Sequence, residues 1–285
     1  MRHIQQPGPV VEARVQWVEA RGRAFPMELR AGARLLDAVQ RGFAAAGFAS
    51  GVLPLTNAAL DPLAYVMPAL SPTPDHAAFY SAVFRPEGVA RISSGAMTFG
   101  SRDRQPFFHG HALWREADGK LSGGHILPEE TMIAETFSVH GLGLDGAEFA
   151  AEADPETRFN LFGPVIGQAS QLAASARVFA LRLRPNQDVA TALELFCQQR
   201  GIASATLHGG VGSIIGAHFA DGRRIEPFAT EIAIRTGRIM PGRDGGPEAL
   251  LDVALVDYTG ALAQGRLQRG DNPVLMTLEL VLEPD

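Results

Sequence analysis

Three histidines carry the most specific chemical signal in this chain. They stand in Phe108-His109-Gly110-His111 and in Gly123-Gly124-His125. On a strand, residues two apart point to one face, so His109 and His111 would present both imidazoles together. Where His125 falls depends on the turn between the two segments. Glu116-Ala117-Asp118-Gly119-Lys120 suits a three-residue loop closed by Gly119 in the left-handed conformation, with Glu116 facing Lys120. Counting outward from that loop sets His125 opposite His111, and three rings converge. A two-residue Asp118-Gly119 turn would instead send His125 to the other face.

Three neutral imidazoles with no softer donor nearby suit zinc, at about 2.0–2.1 Å per nitrogen. Nickel, iron and cobalt accept the same ligands. Such a set leaves a fourth position for water, a substrate atom or a residue of a neighbouring chain, and it could activate water or polarise a carbonyl. Glu135, His140 and His76 are the candidates for that position or for supporting the ligands from behind. The same spacing also arises on a solvent-facing histidine strand that takes up only adventitious metal. No general base stands out, so no reaction follows and enzymatic activity stays open.

The elements that must position these rings are repeated along the chain. Arg23 to Arg30 aligns with Arg177 to Arg184, and Gly47-Phe48-Ala49-Ser50 with Gly201-Ile202-Ala203-Ser204. Each copy reads as a strand, a turn, an amphipathic helix and a Gly-led second strand. Leu35, Leu36, Val39 and Phe43 recur at helical spacing in the first copy, with Gly47 as a stop. Val189, Ala192, Leu193, Phe196 and Cys197 do so in the second, behind Pro185-Asn186. These stripes are expected to be core.

Gly47 aligns with Gly201 at an offset of 154, whereas Gly119 aligns with Gly260 at 141, so the first copy holds 13 extra residues between them. The proline-rich stretch from Asp61 to Asp75 is the expected place for them, and a loop of that kind often borders a site. At the later offset Leu250, Asp252 and Arg266 replace His109, His111 and His125. The second copy is therefore expected to bind no metal, with Arg266 paired to Asp252 in its place. Domain bounds of 12–145 and 176–285 follow, joined by a partly packed segment over 146–175.

Composition bounds the function classes. Of 285 residues, 46% are hydrophobic and 20% charged, with a net charge of -6. That sign repels polyphosphate at long range. The arginines of the first copy (Arg14, Arg21, Arg23, Arg30, Arg34, Arg41) are interleaved with Glu12, Glu19, Glu28 and Asp37, as on a solvated face. One cysteine, Cys197, rules out a disulfide framework and reads as a buried thiol. The longest uncharged run, Gly42 to Leu60, is broken by glycine and Pro54 and does not read as a membrane span. With no signal-type segment over Met1 to Glu12, a cytoplasmic protein is expected. His208-Gly209-Gly210-Val211-Gly212-Ser213 lacks the lysine of a phosphate loop and reads as a sharp bend between strands.

The Phe108-His109-Gly110-His111 and Gly123-Gly124-His125 elements, with Leu207-His208-Gly209-Gly210-Val211-Gly212 and the hairpin around Gly260, resemble the PPC (plants and prokaryotes conserved) domain. Both copies together cover nearly the whole chain. The resemblance implies an α+β fold of two domains, each a bent antiparallel β-sheet with a flanking helix. It also implies a homotrimer and, in some members, a metal on the matching histidines; the open position at the histidine site separately leads to the expectation of a small-molecule ligand there. Prokaryotic relatives often carry a DNA-binding label, so a DNA-associated regulator is the alternative reading. Against it, Arg21-Gly22-Arg23 is followed by Ala24 and not by the proline of an AT-hook.

Overall fold

The computed structural model describes residues 2–170 and 175–285; of the joining segment expected over 146–175, residues 171–174 lie outside the described residues. The fold is α+β, built mostly from antiparallel strands with two helices. In chain order the first half holds β1 (Val15–Leu29), α1 (Leu35–Ala45) and β2 (Gly51–Pro54). Four short strands follow: β3 (Ala59–Leu60), β4 (Tyr65–Val66), β5 (Pro68–Ala69) and β6 (Phe79–Tyr80). Then come β7 (Ala90–Arg102), β8 (Gln105–Arg115), β9 (Leu121–Ile126), β10 (Ile133–Glu135) and β11 (Phe137–Asp145). A hairpin of β12 (Ala147–Ala153) and β13 (Asn160–Ile166) leads to β14 (Ala176–Leu183) and α2 (Val189–Gln199). The chain ends in β15 (Ala205–His218), β16 (Arg224–Pro241), β17 (Pro247–Asp257), β18 (Leu262–Arg266) and β19 (Val274–Pro284).

The ladders repeat. In the first half the strands lie in the order β1-β11-β2-β7-β8-β9, every neighbour antiparallel. In the second they lie in the order β14-β19-β15-β16-β17-β18, again antiparallel throughout. β1 and β14 pair with each other from Val15↔Leu183 to Gly22↔Ala176 and join the two halves into one sheet.

Each helix covers its own half. Leu35, Leu36, Val39 and Phe43 of α1 are buried against Leu53, Phe99 and Trp114, and α1 stops before Gly47, whose φ is +85°. On α2, Val189, Leu193, Phe196 and Cys197 pack on Leu207, Ile232 and Leu280, and the Asp188 carboxylate caps the helix by accepting from the Thr191 N–H at 2.8 Å. Cys197 is a buried free thiol. A third cluster lies between the halves, where Val52 and Leu142 meet Val178, Ala180 and Val281, and Phe149 and Phe162 of the β12–β13 hairpin join it. Fully burying side chains of this size stabilises by about 1.5–3 kcal/mol each, so the two halves are held by a shared core as well as by the β1–β14 ladder.

Two local features bear on the site. The segment between β2 and β7, where the extra length was expected, folds over the β8–β9 hairpin through β4, with Val66 opposite His125. The glycine run after His208 is a bulge within one continuous strand, not a bend between two. Gly209 and Gly210 take φ of +69° and +102°, and the β15–β19 ladder shifts register between His208 and Val211. No helix of the chain is long and apolar enough to cross a membrane among the described residues.

Candidate metal centre

The β8–β9 turn determines the geometry. The Glu116 N–H donates to the Lys120 carbonyl at 2.8 Å, the Gly119 N–H to the Glu116 carbonyl at 2.9 Å, and Gly119 has φ +91°. This is the three-residue loop, and it sets His111 opposite His125. His109 Nε2 lies 3.1 Å from His111 Nε2, which lies 3.3 Å from His125 Nδ1. A tetrahedral ion holding nitrogens at 2.0–2.1 Å separates them by about 3.3 Å, so the three donors already stand at ligand spacing. Gly124 is required beside them, because a Cβ there would come within 2.5 Å of the Val66 carbonyl oxygen and push β9 away from β4.

The rings are not solvent-facing. His111 and His125 are only 4% and 8% exposed. Burial, with the neighbouring His109 charge adding to it, holds both imidazoles well below their ordinary pKa. At neutral pH they are uncharged, the form that ligates a cation.

The supporting contacts come from the second half. The His111 Nδ1–H donates to the Ile232 carbonyl at 3.1 Å, and His109 Nδ1 is bonded to a Glu279 carboxylate oxygen. Both contacts leave the Nε2 lone pairs aimed at the common point. Glu231 places Oε1 3.7 Å from His111 Nε2. Burial alone pushes its carboxyl well above the usual carboxylate range. Glu231 and Glu279 are 5% and 0% exposed, and the Oε2 atom of each lacks a hydrogen-bond partner. Three convergent neutral imidazoles with acid groups beside and behind them are a donor set that fits a divalent metal ion.

The trio opens onto a cavity of about 600 Å³ lined by Phe79, Tyr80, Phe107, Phe159, Phe162 and Met276 among others, with Arg102 and Glu231 on its wall. Phe79 and Tyr80 form β6, just beyond the proline-rich stretch, and the Tyr80 ring centre is 5.4 Å from that of His125.

The other candidates do not join. Glu135 is exposed and pairs with Arg91 at 2.7 Å. His140 is exposed on β11, in a separate cavity that also holds His208. His76 stacks on Phe159 at 4.3 Å, at the aromatic rim. In the second half Asp252 stands opposite Arg266, at the register of His111 and His125. Its ion-pair partner is Arg235, at 2.8 Å, and not Arg266 as expected; the neighbouring strand β16 delivers the closer guanidinium. Glu231 and Glu279 were not singled out from sequence. Their signal was a lone acid inside an apolar strand, in Thr230-Glu231-Ile232 and Leu278-Glu279-Leu280.

Residues 171–284 match the profile of the Plants and Prokaryotes Conserved (PCC) domain. Among solved structures, the chain is similar to a metal-containing protein of Archaeoglobus fulgidus, at 19% identity and a TM-score of 0.41, over 51% of this chain and 96% of that one. A plant- and prokaryote-conserved (PPC) protein of Pyrococcus horikoshii is similar at 16% identity and a TM-score of 0.40, over 52% and 96%. A candidate DNA-binding protein of Bacteroides thetaiotaomicron follows at 19% and 0.33, over 38% and 77%. No curated protein matches the chain significantly. The matched residues, 171–284, thus carry a Plants and Prokaryotes Conserved domain, and the described strands there repeat the ladder order of the first half.

Proposed function

We propose that the chain is a two-copy member of this family that binds one divalent metal ion, zinc in the first place, through His109, His111 and His125. In this reading residues 12–145 form the metal-binding copy, 146–175 the joining segment and 176–285 a copy without the metal histidines. The cavity above the ion takes a small molecule. One observation carries the proposal: three convergent imidazoles, two buried and one half-buried, stand beside two buried acid groups, each with an oxygen that lacks a hydrogen-bond partner. When bound, the ion supplies a Lewis acid on the cavity floor. The chain's own residues hold it, fix the imidazole tautomers through Glu279 and Ile232, and keep bulk water from the ligands.

The test is elemental analysis of untagged protein. Wild type should carry about one metal per chain, and His109→Ala and His125→Ala should lose it. Unchanged stoichiometry in both variants would sink the proposal. A homotrimer, implied by the family resemblance, is decided by mass in solution.

The DNA-associated alternative meets an N-terminal arginine group of which four members are already engaged. Arg14 pairs with Glu156, Arg30 with Glu28 and Arg34 with Asp37, while Arg23 donates to the Ala46 carbonyl. We expect no shift of duplex DNA by low-micromolar protein at ~50 mM salt, where phosphate contacts are strongest. A salt-sensitive shift there would restore that reading.

A further inference from the structure

The cavity above the histidines has a polarity that narrows what it takes. Its walls are apolar and largely aromatic, and its volume of about 600 Å³ lies in the range of small-molecule sites. Toward the histidine end the lining includes Tyr80, Ser213, Thr277 and Glu231; Glu231 is 5% exposed and its Oε2 has no hydrogen-bond partner. Carboxylates dominate the charged lining: Asp103, Glu129 and Glu231 stand against Arg102. Arg102 is already engaged, bonded to Glu129 at 3.2 Å and stacked 4.0 Å above the Phe107 ring. Glu279 adds a further carboxylate behind His109. A ligand without a donor leaves Glu231 Oε2 unsatisfied. A donor-bearing molecule satisfies that oxygen, and a site with a buried acceptor discriminates strongly against ligands that cannot donate to it.

We infer that the cavity binds a molecule with an apolar, ring-sized body whose polar end carries an O–H or N–H donor beside its metal-binding atom, and that Glu231 is the residue that reads the donor. The inference rests on the metal reading above and deepens it. It also gives the second copy a part in the site. That copy holds none of the metal histidines at the matching positions, yet β16 sends Glu231 onto the cavity wall and the adjoining Ile232 carbonyl onto His111. The nitrogen donors and the acceptor therefore come from different halves of the chain.

The test uses full-length, zinc-loaded protein and two probes with the same ring: benzohydroxamic acid, which carries donors beside its metal-binding oxygens, and benzoate, which carries none. Metal content is measured first, then probe affinity by calorimetry for wild type, Glu231→Gln and Glu231→Asp, each checked for an unchanged melting transition. In wild type the hydroxamic acid should bind at least tenfold tighter than benzoate. Glu231→Gln should weaken the hydroxamic acid by about tenfold and leave benzoate within about twofold, since an amide offers one acceptor oxygen where the carboxyl group offers two. Glu231→Asp, which keeps both oxygens, should retain most of the preference. If Glu231→Gln moves neither affinity by more than about twofold, or if neither probe binds at millimolar concentration, the inference is overturned while the metal reading stands. Wild-type protein that takes up no zinc fails before any probe is added, and that result brings down the metal reading and this one together.

Discussion

Replacing His111 with alanine is expected to weaken metal binding by about two to three orders of magnitude and to erase the stabilisation that metal confers. His111 is the middle ligand: its Nε2 lies 3.1 and 3.3 Å from the other two donor atoms. Structural zinc sites contribute roughly 10–16 kcal/mol over about four ligands, so one ligand is worth on the order of 3–4 kcal/mol. For wild type, free metal at a thousand times its dissociation constant stabilises the fold by about 4 kcal/mol. In a chain of this size each 1 kcal/mol moves the melting temperature by about 2–4 °C. Metal-loaded and chelated wild type should therefore melt about 8–16 °C apart. In His111→Ala that gap should close, and the metal-free variant should melt slightly below metal-free wild type, because the Ile232 carbonyl loses its donor. A gap that survives the substitution would place the metal elsewhere.

The second large effect falls on the metal-loaded protein and far less on the metal-free one. Glu279 is fully buried on β19, one oxygen bonded to His109 Nδ1 and the other without a partner. Glu279→Gln keeps the shape and an oxygen that can accept from the His109 Nδ1–H, but removes the charge. Without metal the carboxylate still faces Arg182, its partner across the β14–β19 ladder, so the substitution should change the metal-free melting temperature by a few degrees at most. With metal the same charge polarises His109 and balances the cation, and losing such a support typically weakens binding about 10- to 100-fold. Differential scanning calorimetry of both forms reads the difference directly. A residue that merely packed would lower both transitions equally, and that result would remove Glu279 from the site.

The ligand trio was legible before any coordinates because its geometry is local. Residues two apart on a strand share a face, and the Glu116–Lys120 turn needs only one left-handed glycine to bring His125 into line. The helices were legible for the same reason, since their apolar stripes repeat every third and fourth residue. The wrong guesses were also local. Glu135, His140 and His76 were picked by type and nearness in sequence. Yet Glu135 is exposed beside Arg91, His140 is exposed on β11, and His76 stacks against Phe159. The carboxylates that do reach the site lie on β16 and β19, and Glu279 is 170 residues from the ring it touches. Sequence patterns mark such residues only as lone acids in apolar strands.

What the sequence determined by itself is what short-range geometry and self-comparison can carry: the repeat, the two strand–helix units, the convergence of three imidazoles and the loss of those imidazoles from the second copy. The tertiary structure alone decided what surrounds them. The β1–β14 ladder and the core shared by Val52, Leu142, Val178 and Val281 lay the second half against the first. Only that docking turns Glu231, Ile232 and Glu279 from strand residues into the outer contacts of a site whose nitrogens belong to the other half. The physical reason is that pleat and turn are encoded over a few residues, whereas the packing of one sheet on another depends on the summed burial of side chains scattered along the whole chain.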